Sequence, residues 1–193
     1  MVKRINRAPA ERTGSGSPNL VQTGPVVRAR ARTARRGWVC LGAQRWPCAL
    51  GRTGRTLRKR EGDGATPAGR WALREVLYRP DRMRRPRTRL AVVPLRPWQG
   101  WCDAPRDRNY NRLVRYPYPA SAEPLWREDG LYDIVVVLEY NICPRVRGRG
   151  SAVFLHVARP GLTPTEGCVA LARDHLLQLL ARLPRPCELI VRA

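Results

Sequence analysis

Five consecutive aliphatic residues, Ile134-Val135-Val136-Val137-Leu138, constrain this chain more than any other feature. The run lies within Tyr132 to Tyr140, is dominated by β-branched side chains and is far too short to span a bilayer. β-Branched residues suit the pleated strand, and an unbroken apolar run of this length marks a buried one. Ser151 to Ala158 reads as a second strand, in which Val153, Leu155 and Val157 alternate with Ala152, Phe154 and His156. Past it, Leu176, Leu177, Leu179, Leu180 and Leu183 fall at helical spacing, predicting a short amphipathic helix from Arg173 that ends before Pro184. Cys187 to Val191 closes the chain as a strand.

The earlier part is also rich in strands. Trp38 to Leu41 and Arg45 to Leu50 predict a hairpin about Gly42-Ala43-Gln44. Gly51 to Gly69 is turn-rich, Arg70 to Tyr78 is a strand, and Arg79 to Arg89 is a charged loop. Leu90 to Leu95 reads as an edge strand, because Pro94 cannot donate to a ladder. Pro97 to Pro124, with its five prolines, reads as a long structured loop. The expected class is mainly β (α+β), with one short helix late in the chain. At 193 residues there is room for one well-buried domain, 37–193, preceded by a basic Gly-, Ser-, Thr- and Pro-rich arm, 1–36, that is expected to be disordered.

The formal net charge of +22 favours anionic partners, whether nucleic acid, acidic lipid or an acidic cell-wall polymer. The arginines are scattered through every segment rather than gathered on one stripe with interleaved aromatics, so no specific nucleic-acid binding is expected. Lys3 and Lys59 are the only lysines. Six cysteines (40, 48, 102, 143, 168 and 187) contain no Cys-x-x-Cys, and neither histidine stands at zinc-ligand spacing from a pair. No metal or other cofactor is expected, and the thiols are read as mostly reduced and isolated. The first 36 residues hold no apolar core of signal-peptide length, and no run is long enough for a membrane span.

Thr165-Glu166-Gly167-Cys168-Val169 concentrates the chemistry. A Gly-Cys turn opening a helix would leave outward N–H groups, which with the helix dipole lower a thiol's pKa and offer an oxyanion hole. His156, at the end of its strand, can be folded back against such a turn. A cysteine–histidine pair needs no third acid when a carbonyl orients the ring. Read by spacing alone, a cysteine such as Cys168 is more often a small buried hydrophobe than a catalyst, and a histidine such as His156 more often a satisfied core residue than a base. Glu166 either orients a substrate amine or favours the helix start. His175 belongs to the surface of the leucine-rich helix.

His156 on its strand, followed by Thr165-Glu166-Gly167-Cys168-Val169, resembles the signature of the YkuD-type L,D-transpeptidase catalytic domain. A second stretch, Arg60-Glu61-Gly62-Asp63-Gly64-Ala65-Thr66-Pro67-Ala68-Gly69-Arg70-Trp71, resembles that family's upstream Gly-Asp, Thr-Pro, Gly run. The likeness covers about Trp38 to Ala193. It departs at two places: Glu166 stands where the family usually has histidine, and Ala170 where an arginine commonly helps hold a substrate carboxylate. Such a pattern fits a divergent branch with the Thr-Glu-Gly-Cys form.

The resemblance implies a β-sandwich or barrel with a short helix after the nucleophile, and a peptidoglycan transferase acting on stem peptides. Cys168 would be acylated, His156 would act as its base, and Gly167 would contribute an oxyanion donor. Thr165 and Glu166, together with Tyr110, Asn111 and Arg112 of the Trp101 to Tyr118 loop, are the candidate substrate-binding residues. Cross-links between two diamino acids, or from L-Ala to a diamino acid, are the expected products, and a carbapenem is expected to add to Cys168. The alternatives are an L,D-carboxypeptidase on the same site and a basic nucleic-acid-binding protein with an inert fold. A monomer is expected. The substrate implies the periplasm, while the lack of a readable export signal leaves the cytoplasm as the other location.

Overall fold

The computed structural model describes residues 24–193. Its first strands are β1 (Val26–Arg28), β2 (Arg36–Leu41), β3 (Gln44–Ala49), β4 (Arg55–Thr56) and β5 (Thr66–Pro67). They are followed by β6 (Gly69–Tyr78), β7 (Ala91–Pro94), β8 (Gln99–Cys102), β9 (Arg112–Arg115) and β10 (Ala122–Pro124). The last third holds β11 (Ile134–Leu138), β12 (Phe154–Val157), β13 (Val169–Leu171), helix α1 (Arg173–Leu180) and β14 (Glu188–Val191).

Eight strands run in the order β11-β12-β13-β3-β2-β1-β14-β6, and β6 pairs back with β11, closing a barrel. Closure leaves those strands without an open edge. The exposed edge falls to β7, paired among the described residues only with β6, where Pro94 is tolerated as expected. A three-stranded sheet, β10-β8-β9, lies apart from the barrel ladder.

The aliphatic run of β11 is buried at all five positions because it serves two cores. Ile134, Val136 and Leu138 join the main cluster, with Leu155 of β12 and Leu176, Leu179 and Leu180 of α1. Val135 and Val137 join a second cluster with Leu77, Trp101, Leu125, Tyr132, Phe154 and Cys168. A strand side chain alternates faces at every residue, so an unbroken run is what two flanking cores require. The same alternation on β12 sends Leu155 to the first cluster and Phe154 to the second. Apolar burial stabilises by roughly 25 cal/mol per Å², and this double layer makes β11 the centre of the fold.

Two expectations are corrected. Val26–Arg28 pairs with both β2 and β14, so this part of the expected disordered arm is a barrel strand, joined to β2 by residues 29–35. The remainder of that arm, 1–23, lies outside the described residues. Pro97 to Pro124 is not simply a loop, since it supplies all three strands of the small sheet. Strands of three or four residues show too few alternations to be recognised. Their pairing partners are also distant in sequence.

Candidate active site

Cys168 leads from the Gly167 turn into β13, and α1 begins only at Arg173. The expected helix-start cysteine, activated by a dipole, is therefore corrected: a strand intervenes. The thiol is 9% exposed and lies in the second apolar cluster. Its Sγ donates to the Ala152 carbonyl (3.2 Å) and accepts from the Phe154 N–H (3.3 Å). Burial pushes the thiol pKa up to about 12, opposed by the Phe154 N–H, raised further by the nearby Glu123 carboxylate and opposed again by the Lys59 cation. The resting sulfur is a neutral thiol.

Parallel pairing of Leu155 with Val169 and of His156 with Ala170 puts Cys168 opposite Phe154, two residues from His156. Residues two apart on a strand share a face, so imidazole and thiol lie on the same side of neighbouring strands. His156 is 5% exposed. Its Nδ1 lies 2.8 Å from the Val157 carbonyl oxygen, and Tyr132 meets the ring edge-on at 5.3 Å between centroids. A carbonyl can only accept, so Nδ1 carries the proton and Nε2 presents a lone pair. Burial drives the histidine pKa down to about 4, opposed by the Val157 carbonyl and aided by the Arg127 and Arg159 cations. Both His156 and Cys168 line a cavity of about 380 Å³. Among the described residues no hydrogen bond joins them at rest.

The turn before Cys168 is held from both motifs. Thr165 Oγ1 donates to the Cys168 carbonyl (2.6 Å) and accepts from the Gly167 N–H (3.2 Å). Thr66, from the upstream Thr-Pro, reaches the same carbonyl at 3.4 Å and accepts from the Gly51 N–H. Gly167 has φ +142°, and a Cβ there would stand 2.9 Å from the Ala65 carbonyl oxygen. Only glycine fits that backbone and that approach. Glu166 lies on the cavity lip, its exposed carboxylate paired with Arg52 at 2.7 Å.

Of the sequence-derived candidates, Cys168, His156, Gly167, Glu166 and Thr165 come together on the cavity wall. Tyr110, Asn111 and Arg112 do not line it. Tyr110 is buried behind the wall, where its hydroxyl donates to Glu61. Asn111 is a buried tie: Oδ1 accepts from Trp101 Nε1 and the Ala152 N–H, while Nδ2 donates to the carbonyls of Tyr140 and Asn141. Arg112 is exposed and borders a separate depression with Arg74 and Arg145.

The cavity also holds charged groups that the sequence reading passed over. Glu61 accepts from Ser151 Oγ (2.8 Å) as well as from Tyr110. Lys59 is buried against Asp63 (2.5 Å). Glu123 accepts from the Tyr132 hydroxyl (2.8 Å) and lies 3.5 Å from Arg127, which is itself bound to Asp129 through two nitrogens. Burial raises the Glu123 carboxyl pKa, opposed by Tyr132 and Arg127. Glu61 and Asp63 lie within the Gly-Asp stretch already singled out. Lys59 could have been found as a rare lysine beside that stretch. Glu123, Arg127 and Tyr132 carry no local signal, because only the pairing of β8 with β10 and the strand β11 brings them here.

Fold and cavity together define a class: a closed β-barrel domain whose cavity wall presents a buried thiol, a carbonyl-anchored imidazole and a set of charged side chains. The chain belongs to the YkuD family, the L,D-transpeptidase catalytic domain, whose family model matches residues 27–191, from β1 to the end of β14. That family is in general one of acyltransferases and peptidases acting on peptidoglycan. No curated protein and no solved structure matches the chain.

Proposed function

We propose that this domain is a peptidoglycan L,D-transpeptidase in which Cys168 carries the acyl group of one stem peptide and transfers it to an amine of a second. The observation that most supports this reading is the shared wall: Cys168 and His156 line one cavity, with the ring anchored through Nδ1 and Nε2 left as a base. A neutral thiol beside a neutral imidazole favours attack concerted with proton transfer over a preformed ion pair. Sγ bonds to the carbonyl carbon of an L-centre to D-residue amide as its proton passes to His156 Nε2. Collapse breaks the C–N bond, and the leaving amine takes that proton. The side-chain amine of a second diamino acid then attacks the thioester, and the thiol is restored.

Ala170 offers no cation on the wall, while Arg127 and Arg159 do line the cavity. In this reading they hold the stem carboxylates, through guanidinium groups suited to that geometry. A donor site so altered suits either a diamino acid or an L-Ala donor bond. Water in place of the amine would make the same site an L,D-carboxypeptidase. The periplasm is the proposed location, since the substrate lies there.

The test incubates stem peptides or sacculi with wild type and with Cys168→Ala, and weighs the products by mass spectrometry. Cross-linked dimers formed only by wild type are expected. Trimmed monomers instead would assign hydrolysis, and identical products from both proteins would remove Cys168 from the chemistry. A carbapenem is expected to add its mass to wild type alone, on the peptide containing Cys168.

A further inference from the structure

Lys59 is built into the cavity in a way that an ordinary loop-fastening ion pair does not require. Apart from Lys3, every other Lys or Arg in the chain is arginine, yet here a lysine side chain is 5% exposed and lines the cavity. Its stem passes through a slot left by two glycines from separate segments. A Cβ on Gly150 (φ +95°) would lie 3.0 Å from Lys59 Cγ, and one on Gly167 (φ +142°) would lie 3.5 Å from both Cε and Nζ. Both backbones are in the region that glycine alone adopts freely. The ammonium therefore flanks the residue that precedes Cys168.

Nζ is oriented by two acceptors, Asp63 Oδ1 at 2.5 Å and the Arg60 carbonyl at 3.0 Å. Asp63 is in turn held by the N–H groups of Arg60 and Ala65. An ammonium has three donors, so this arrangement commits two and, among the described residues, leaves one. Taking a charge out of water is costly unless it is paired, and an exposed arginine such as Arg52 ties the same region to Glu166 without that cost.

The cysteine turn, meanwhile, has one of its two expected donors already occupied. A tetrahedral oxyanion beside Cys168 calls for N–H groups aimed at it, and the sequence pattern offers those of Gly167 and Cys168. The Gly167 N–H is already committed to Thr165 Oγ1 at 3.2 Å. We propose that the third N–H of the Lys59 ammonium takes its place, making Lys59 a catalytic residue that stabilises the oxyanion of acyl transfer. This assignment rests on the acyl-transfer reading above. As Sγ bonds to the carbonyl carbon and its proton moves to His156 Nε2, the C=O electron pair shifts onto oxygen. That alkoxide accepts from Lys59 and from the Cys168 N–H. When the C=O bond re-forms and the leaving group departs, Lys59 keeps its proton throughout. The cation also opposes the burial that disfavours a thiolate at Cys168, an effect that shares the electrostatic cause.

The test uses the full chain as wild type, Lys59→Met and Lys59→Gln, with Cys168→Ala as background. The probe is a neutral activated ester, p-nitrophenyl acetate, which carries no carboxylate for a cation to bind. Acetylation is followed by mass on the peptide containing Cys168, and alkylation of the same residue by iodoacetamide, which forms no oxyanion, is followed in parallel. Lys59→Met is expected to slow acetylation on the order of a hundredfold or more, the usual effect of losing an oxyanion donor. Alkylation should fall by a much smaller factor. Lys59→Gln, which keeps a neutral donor, should lie between, and it decides the matter if the Met variant fails to give the cooperative melt of wild type. Acetylation at the wild-type rate in both variants overturns the assignment, as does an equal fall in acetylation and alkylation, which would mark a thiol or packing effect. Wild-type Cys168 that accepts an acyl group from neither the ester nor a stem peptide sinks the acyl-transfer reading itself, and the lysine's role with it.

Discussion

The Nδ1 atom of His156 lies 2.8 Å from the carbonyl oxygen of Val157, its neighbour on β12. The contact fixes the ring's tautomer through a backbone carbonyl, while burial, not this contact, keeps the histidine a neutral base in a cavity that arginines also line. Burial and the Arg127 and Arg159 cations disfavour the imidazolium, bringing the pKa to about 4.

That shift makes stability depend on pH. An unfolded histidine titrates near 6.5, so between pH 6.5 and 4 the unfolded chain binds a proton that the folded one refuses. Stability is therefore fully present above 6.5 and falls as pH drops towards 4. Between pH 7 and pH 5 the His156 contribution should fall by about 2 kcal/mol. Urea unfolding of wild type and His156→Gln at both pH values measures it. Equal losses in the two proteins would show that this ring is not the titrating group.

Cys168 should be an unreactive thiol in the free protein. With its pKa pushed up to about 12 by burial, against about 8.5 for an ordinary cysteine, its thiolate fraction at pH 8 is minute. Iodoacetamide at that pH should label the exposed Cys143 first, with Cys168 slower on the order of a hundredfold or more. Peptide mapping over a time course gives both rates. Preferential labelling of Cys168 would mean that the resting sulfur is ionised after all.

Asn111 should matter for stability more than for substrate binding. It joins Trp101 of the small sheet to the β11 end at Tyr140 and Asn141, and to the β12 approach at Ala152. Asn111→Ala strands two carbonyls, the indole N–H and the Ala152 N–H, at about 1–3 kcal/mol for each group left both buried and unsatisfied. A loss of roughly 3 kcal/mol in urea unfolding is expected. An unchanged midpoint, with weaker binding of stem peptide, would return Asn111 to the substrate-binding set.

The barrel strands were legible where burial is uniform or alternation lasts. Ile134–Leu138, the β12 alternation, the Gly42-Ala43 hairpin and the leucine spacing of α1 each carry their signal within about ten residues. The short strands Gln99–Cys102, Arg112–Arg115 and Ala122–Pro124 do not. Each is stabilised by a neighbour remote in sequence, so local pattern has nothing to report. The same holds for β1, whose three residues are fixed by β2 on one side and by the last strand on the other.

Local sequence determined the covalent ingredients: a cysteine after a glycine, a histidine on a strand, and a Gly-Asp to Thr-Pro stretch upstream. These are matters of residue type and short-range spacing, which a linear chain displays openly. Only the tertiary structure decided their state. The strand β13, rather than a helix, receives Cys168, and the second apolar layer buries its sulfur. Tertiary folding also carries Lys59 and Arg127 on loops, and Glu123 on the small sheet, to the cavity from distant segments. A pKa or a donor set depends on solvent exclusion and on charges a few ångströms away through space, and neither quantity is written along the chain.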